Sequence, residues 1–224
     1  MEILLNDKDI TVAIKEPSLL SQAEPTGNNI ISRLNAYYAE SGEAQEAFPI
    51  HRLDRGVGGV MVFAKNQKSA AALSKAVAER TLDKEYLAVI IGSPEEDEGI
   101  YRDLLFKDSA KNRSYVVTRK RAGVREASLE YRVVDRAEYE GEQVTLVLIK
   151  LHTGRTHQIR VQFSSRKTPL FGDKKYGGHG SGGIGLWSYR LTLTHPASNK
   201  REVYSALPTG GVWDVFDRER ITQL

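Results

Sequence analysis

VTLVLIKLHTGRTHQIRVQF, residues 144 to 163, changes character half-way along. Val144 to Leu151 is almost continuously apolar and rich in β-branched residues, which reads as a buried strand. Gly154 then marks a turn, and Arg155 to Ser164 reads as a helix with Ile159 and Phe163 one turn apart on its inward face. A buried strand that ends in a turn and a donor-rich helix delivers Thr153, Arg155, Thr156, His157 and Arg160 to one rim. The plain alternative is a polar helix start, capped by Thr153 or Thr156, with two solvated arginines.

Working outward, strands and helices alternate along the chain. Ile10 to Glu16 alternates as a short strand that Pro17 ends. Residues 28 to 42 read as a helix capped by Asn28 or Asn29, buried through Ile31, Leu34 and Tyr38, and stopped by Gly42. Residues 58 to 65 form a strand, and residues 66 to 80 a helix whose apolar stripe is Ala70, Leu73 and Val77. Further strands are expected at 84–92, 125–137, 142–151, 186–195 and 201–207, the last two joined by the turn PASNK. Strands outnumber helices and several look like hairpin partners. The expectation is a single α+β domain over residues 1–224, built on a mixed, largely antiparallel sheet flanked by helices and loops.

Composition narrows the function classes. The 224 residues carry a formal charge of only +3, so basic character must be local. Cysteine is absent, which excludes disulfides, thiolate metal sites and a thiol nucleophile. No apolar run reaches the roughly 18 residues that span a bilayer, and the acidic N-terminus lacks a signal-peptide core. A cytoplasmic protein with no membrane partner is expected.

Charge is concentrated between Phe106 and Arg125, where seven basic residues meet one acid. A run of this kind is either a solvated loop or hairpin face or an arm that contacts phosphates. Tyr115 within it could stack on a base. GHGSGG at 178–183 satisfies G-x-G-x-x-G, but a turn precedes it and a strand follows, so it reads as a flexible loop rather than a dinucleotide site. The five histidines are scattered, and no HExxH or matched acid cluster accompanies them, so no metal is expected.

The second dense polar cluster is HRLD, residues 51 to 54, where Asp54 sits between Arg52 and Arg55. Alone, it could be a surface ion pair. Together with the 151–163 cluster it suggests a polyanion site with a carboxylate inside it.

In order, HRLD before a glycine-containing apolar strand, then KEY at 84–86, LHTGRTHQIRV at 151–161 and FGDKKYG at 171–177 resemble the RluA-type pseudouridine synthase family. The matched segments run from about Ile10 to Leu207. The resemblance implies a mixed-sheet catalytic domain that isomerises uridine in structured RNA, ribosomal or transfer, with no metal and no cofactor. Many members carry an N-terminal RNA-binding domain; here the pattern begins almost at residue 1, and the catalytic domain alone is expected, acting as a monomer.

The same resemblance gives roles to residues. Asp54 starts the chemistry on a flipped-out nucleotide, by attack on sugar or base or by removing a ribose proton. Arg160 is its expected cationic partner, and Tyr86 stacks on the uracil. Arg52 fills the space left by the flipped base or holds phosphate, while Arg155, His157, Lys120 and Arg121 are expected to contact RNA. Val57 and Gly58 stand where the family commonly has Thr-Ser, and Gln162 where a histidine is frequent. Two other classes compete: a non-catalytic RNA-binding or chaperone module, and a nucleoside or glycoside hydrolase. Pure binding needs no carboxylate among phosphates, and a glycoside hydrolase would usually want a second acid.

Overall fold

The computed structural model describes residues 1–23 and 27–224. The chain opens with strands β1 (Glu2–Asn6) and β2 (Ile10–Lys15), helix α1 (Ile30–Glu40), and strands β3 (Phe48–Pro49) and β4 (Gly58–Ala64). Helix α2 (Gln67–Ala78) follows, then β5 (Asp83–Ile91), β6 (Glu98–Asp108), β7 (Arg113–Val117), β8 (Val124–Tyr139) and β9 (Glu142–Leu151). Helix α3 (Gln158–Ser164), β10 (Leu186–Thr194), β11 (Arg201–Ser205) and helix α4 (Arg218–Thr222) complete the order, with short 3-10 turns at Lys174–Tyr176 and Gly211–Val215. The fold is α+β, with a mixed sheet. Two compact units are formed, one from Met1–Lys84 with Trp187–Pro208 and one from Glu85–Leu186 with Thr209–Leu224.

In the first unit the strand order is β1-β2-β4-β10, with β3 on β4 and β11 on β10. β4 and β10 run parallel through Trp187↔Gly58 and Ser188↔Gly59; the other pairings of this unit are antiparallel. Every residue of β4 is buried, as its unbroken apolar run requires of a central strand. Ile10, Val12, Val60, Val62, Leu73, Leu191 and Leu193 make the core, with Ala70 and Val77 of α2 packed at its edge. Both helices begin on asparagine: the Asn29 side chain accepts from Ser32 N at 2.8 Å, and that of Asn66 from Ser69 N at 2.9 Å. The expected inward face of α1 is the buried one, and Tyr38 at its end donates its hydroxyl to Thr11 Oγ1 at 2.6 Å.

The second unit orders its strands β5-β9-β8-β6-β7, all antiparallel. β8 and β9 are joined by Glu140-Gly141, both at positive φ (53° and 77°), the backbone of a tight twisted hairpin. β6 and β7 were not expected as strands, and two residues of the basic run, Lys107 and Arg113, lie on them. They bury little, Leu105 and Ser114 apart, so their charge hides the alternation from a sequence reading.

Helix α3 starts at Gln158, later than the expected Arg155. His157 adopts φ 54°, which no α-helix accommodates, and residues 153–157 form a turn laced from within. The Gln158 side-chain oxygen Oε1 accepts from Arg155 N (3.0 Å) and Thr153 Oγ1 (2.8 Å), so the turn closes on Gln158, and neither expected threonine caps the helix. Phe163 seats the helix against Tyr101 and Tyr131, with ring centroids 5.2 and 5.7 Å away. GHGSGG lies between a 3-10 turn and β10, opposite to the strand-then-helix context of a dinucleotide site.

The departure at Val57-Gly58 has a packing cause. A Cβ on Gly58 would lie 2.3 Å from Cζ3 of Trp187 and 2.9 Å from Cδ of Pro17. Trp187 cannot easily yield, because its Nε1 donates to Ala206 O at 2.8 Å. Gly59 is bound still tighter: at φ 120° its Cβ would meet the Ser188 carbonyl oxygen at 2.3 Å. Gly58→Ser should therefore destabilise the fold by about 1–3 kcal/mol through overpacking. Urea denaturation checks this, and Trp187→Leu in the Gly58→Ser background should restore part of the loss.

Candidate active site

Asp54 sits half-buried on the loop between β3 and β4, where Val57 N donates to Asp54 O at 3.0 Å and closes a turn. Such a loop has no ladder to satisfy its backbone, so other groups must. The segment after β2 supplies them. Ser21 Oγ donates to Leu53 O (2.8 Å) and accepts from Leu53 N (3.0 Å), clamping the residue before Asp54 from both sides. Ser18 N donates to Arg55 O at 2.9 Å, fixing the residue after it.

Lys15 lies under the same turn and is fully buried. Its ammonium donates to Leu19 O (2.8 Å), Glu16 O (3.1 Å) and Arg55 O (3.4 Å), all carbonyls rather than carboxylates. Burial lowers its pKa to about 8, while the nearby Asp54 charge pulls the other way. Arg52, in the same motif as Asp54, is exposed and donates to Gln22 Oε1 at 2.9 Å. His51 is buried, accepts from Val62 N at 3.3 Å, and has its pKa lowered to about 3 by burial, with Lys84 adding repulsion. It is a neutral structural imidazole at ordinary pH.

The remaining expected residues lie in the second unit. Tyr86 is buried near the start of β5, opposite Ile149 of β9. Arg160 is buried on α3, and Asp173 grips it through Nε (2.7 Å) and Nη2 (2.8 Å). Its guanidinium also lies 5.1 Å from the Tyr176 ring centroid. His157 meets the Tyr176 hydroxyl through Nδ1 at 2.8 Å. Thus His157 and Arg160 converge on FGDKKYG, whose Asp173 and Tyr176 the sequence reading passed over as turn residues.

Lys120, Arg121 and Arg155 are brought together with Arg125 and Glu126 around a concavity of about 500 Å³. Arg155 Nε donates to Glu126 O at 3.0 Å, Lys120 pairs with Glu126 Oε1 at 2.6 Å, and Arg121 covers the Phe106 ring at 4.7 Å. Four cations against one carboxylate make an anion-attracting surface. Among the described residues no group of three or more His, Cys, Asp or Glu side chains is placed to hold a metal ion, and no helix is long and apolar enough to cross a membrane.

Residues 9–165, which contain the HRLD, KEY and HQIRV motifs, match the RNA pseudouridylate synthase family. The chain belongs to that family. Its members are isomerases that act on RNA. Similar proteins include an uncharacterised RNA pseudouridine synthase of Aquifex aeolicus, 32% identical over 98% of this chain and 69% of its own length. An uncharacterised RNA pseudouridine synthase of Bacillus subtilis is 32% identical over 80% of this chain and 58% of its own length. The ribosomal large subunit pseudouridine synthase D of Yersinia pestis is also 32% identical over 80% of the chain, but over 53% of its own length. The chain therefore spans between about half and about two thirds of these three proteins. Among solved structures, human RNA pseudouridylate synthase domain containing 1 superposes with a TM-score of 0.76 at 22% identity, over 92% of this chain and 82% of that one, a likeness of fold.

Within this family member, Lys15 gives a pH test. Its folded pKa of about 8 lies below the usual 10.5, so between those values the unfolded chain holds a proton that the folded chain lacks. Its contribution to stability is full above 10.5 and is lost as pH falls through 8. Comparing wild type with Lys15→Met by urea denaturation, the wild-type advantage should grow by roughly 3 kcal/mol across that window. A difference independent of pH would mean that burial leaves the ammonium unperturbed.

Proposed function

We propose that this protein is an RNA pseudouridine synthase that acts on a uridine of structured ribosomal or transfer RNA. The observation that carries the reading is the Asp54 loop: a carboxylate on a turn pinned by Lys15, Ser18 and Ser21, inside the segment that matches the family. A mere surface acid would need none of these anchors. The Yersinia relative's name adds weight to a ribosomal substrate.

The reaction exchanges one bond for another within the nucleotide. The bond from uracil N1 to the ribose breaks, a bond from C5 to the same sugar carbon forms, C5 loses its proton and N1 gains one. The base must therefore leave, turn and reattach without escaping, which demands an extruded nucleotide and an enclosed place to hold it. Asp54 starts the process, by attack or by proton removal, and must be ionised to do so. Arg160 supplies the cation that offsets the desolvation of that carboxylate. Tyr86 stacks on the uracil while it is detached, holding it by its π-face. Residues 1–224 act as one catalytic domain, in the cytoplasm and as a monomer, without metal or cofactor.

Arg52, Arg155, His157, Lys120 and Arg121 bind the RNA. Lys120 reaches phosphate by giving up its exposed pair with Glu126, a small cost for a solvated ion pair. Arg52 similarly exchanges Gln22 for the space left by the flipped base or for phosphate.

Incubation with bulk cellular RNA, followed by pseudouridine quantification, tests the reading. Wild type should form product, and Asp54→Asn should form none while largely retaining RNA affinity. Equal product from both proteins would overturn it, and parallel loss of binding and activity would reduce Asp54 to an electrostatic or folding role. Neutralising Lys120 and Arg121 together should weaken RNA binding and reduce the slope of log affinity against log salt by about 1–2. An unchanged slope would remove the concavity from the RNA path.

A further inference from the structure

Tyr176 touches more of the site than any role given so far explains. It lies in the 3-10 turn Lys174–Tyr176 and is buried. Its hydroxyl accepts from Ser114 N at 2.7 Å and meets His157 Nδ1 at 2.8 Å. Two guanidinium groups, those of Arg160 and Arg113, each lie 5.1 Å from its ring centroid. Its backbone oxygen accepts from Ser164 Oγ, at the end of α3, at 2.6 Å. One side chain thus links the turn before α3, the helix itself, and the edge strand β7.

That edge matters. β7 ends the strand order of its unit and pairs with β6 on one side, so Ser114 N faces away from the sheet. An edge donor left unmet in a buried place costs about 1–3 kcal/mol. The Tyr176 hydroxyl meets it, and Ser114 Oγ returns a bond to Thr156 O at 2.6 Å. The two bonds fasten β7 to the turn that carries His157.

The geometry around Arg160 is equally constrained. Asp173 takes Nε and Nη2, and because a guanidinium is planar, those two bonds also fix the line along which Nη1 points. The Tyr176 ring adds a contact away from that edge, its centroid 5.1 Å from the guanidinium carbon. Burial raises the Tyr176 pKa, so the phenol stays neutral and its proton stays available to the hydrogen-bond network.

We infer that Tyr176 is a positioning residue for Arg160: its ring sets the plane of the guanidinium, and its hydroxyl ties that setting to Ser114 on the basic hairpin strand. The inference rests on the reading that Arg160 serves the reacting uridine. It gives FGDKKYG a purpose, since Asp173 holds the in-plane edge of the arginine and Tyr176 its face. It also couples His157, assigned above to RNA, to the placement of Arg160, because both meet Tyr176.

Tyr176→Phe keeps the ring and deletes the hydroxyl; Tyr176→Leu deletes both. Single-turnover rates, RNA affinity and the 15N–1H signal of the Arg160 Nε–H without RNA should be measured for each. Misplacement of a reacting group by a fraction of an ångström supports an expected rate loss of about tenfold for Phe and about a hundredfold for Leu. RNA affinity should stay within about twofold, as befits a residue that acts through another. The Arg160 signal should shift in both variants while the rest of the amide spectrum stays dispersed. A purely structural role would lower the melting temperature but leave the rate of the folded fraction and the Arg160 signal as in wild type, and that result would overturn the inference. Asp54→Asn serves as the separate control. If it turns over normally the synthase reading itself fails, whereas an inactive Asp54→Asn beside a fully active Tyr176→Phe fails the positioning role alone.

Discussion

A buried ammonium that bonds to carbonyls holds the Asp54 loop of the first unit in shape. The stretch from His51 to Val57 is neither helix nor strand, and its polar backbone groups need partners. Lys15 reaches three carbonyls, one of them on the residue after Asp54. Ser21 closes both polar groups of Leu53, and Ser18 reinforces Arg55. The residues on either side of Asp54 are therefore fixed through their backbone. A loop held in this way keeps its carboxylate in place, the condition a preorganised site must meet.

The second unit solves the same problem with different materials. Its arginine is carried on a seven-residue helix, too short to be stable alone. Packing supplies what length does not, since every residue from Gln158 to Phe163 is buried. Phe163 anchors against Tyr101 and Tyr131, and the preceding turn closes on the Gln158 side chain. The left-handed backbone at His157 lets the chain turn sharply from strand into helix, and the His157–Tyr176 bond compensates for it.

Much of this was legible in the sequence. The α+β class, the mixed sheet, both long helices and most strands follow from apolar periodicity and from Asn and Gly signals at element ends. β6 and β7 were hidden because a hairpin that buries little carries little alternation. The start of α3 was misplaced because His157 takes a left-handed backbone, which the composition of the segment does not signal. Asp54, Tyr86 and Arg160 could be singled out because ordered motifs mark them. Lys15, Ser18, Ser21, Asp173 and Tyr176 could not, because their work lies in contacts between segments far apart in sequence. Asp173 and Tyr176 did leave a trace in FGDKKYG, but a turn-like composition disguised it.

The seam between Gly58 and Trp187 bears on how such a chain changes over time. The indole fills the volume that a side chain at position 58 would take, and Ala206 holds the indole there. Neither position is then free to vary alone. A side chain at 58 costs less once 187 has shrunk, and shrinking 187 first opens a void beside the strand that follows the Asp54 loop. The two sites form an epistatic pair across 129 residues of sequence, joined by the register of β4 and β10. A comparison of relatives should find the two positions moving together, with order of substitution mattering as much as identity.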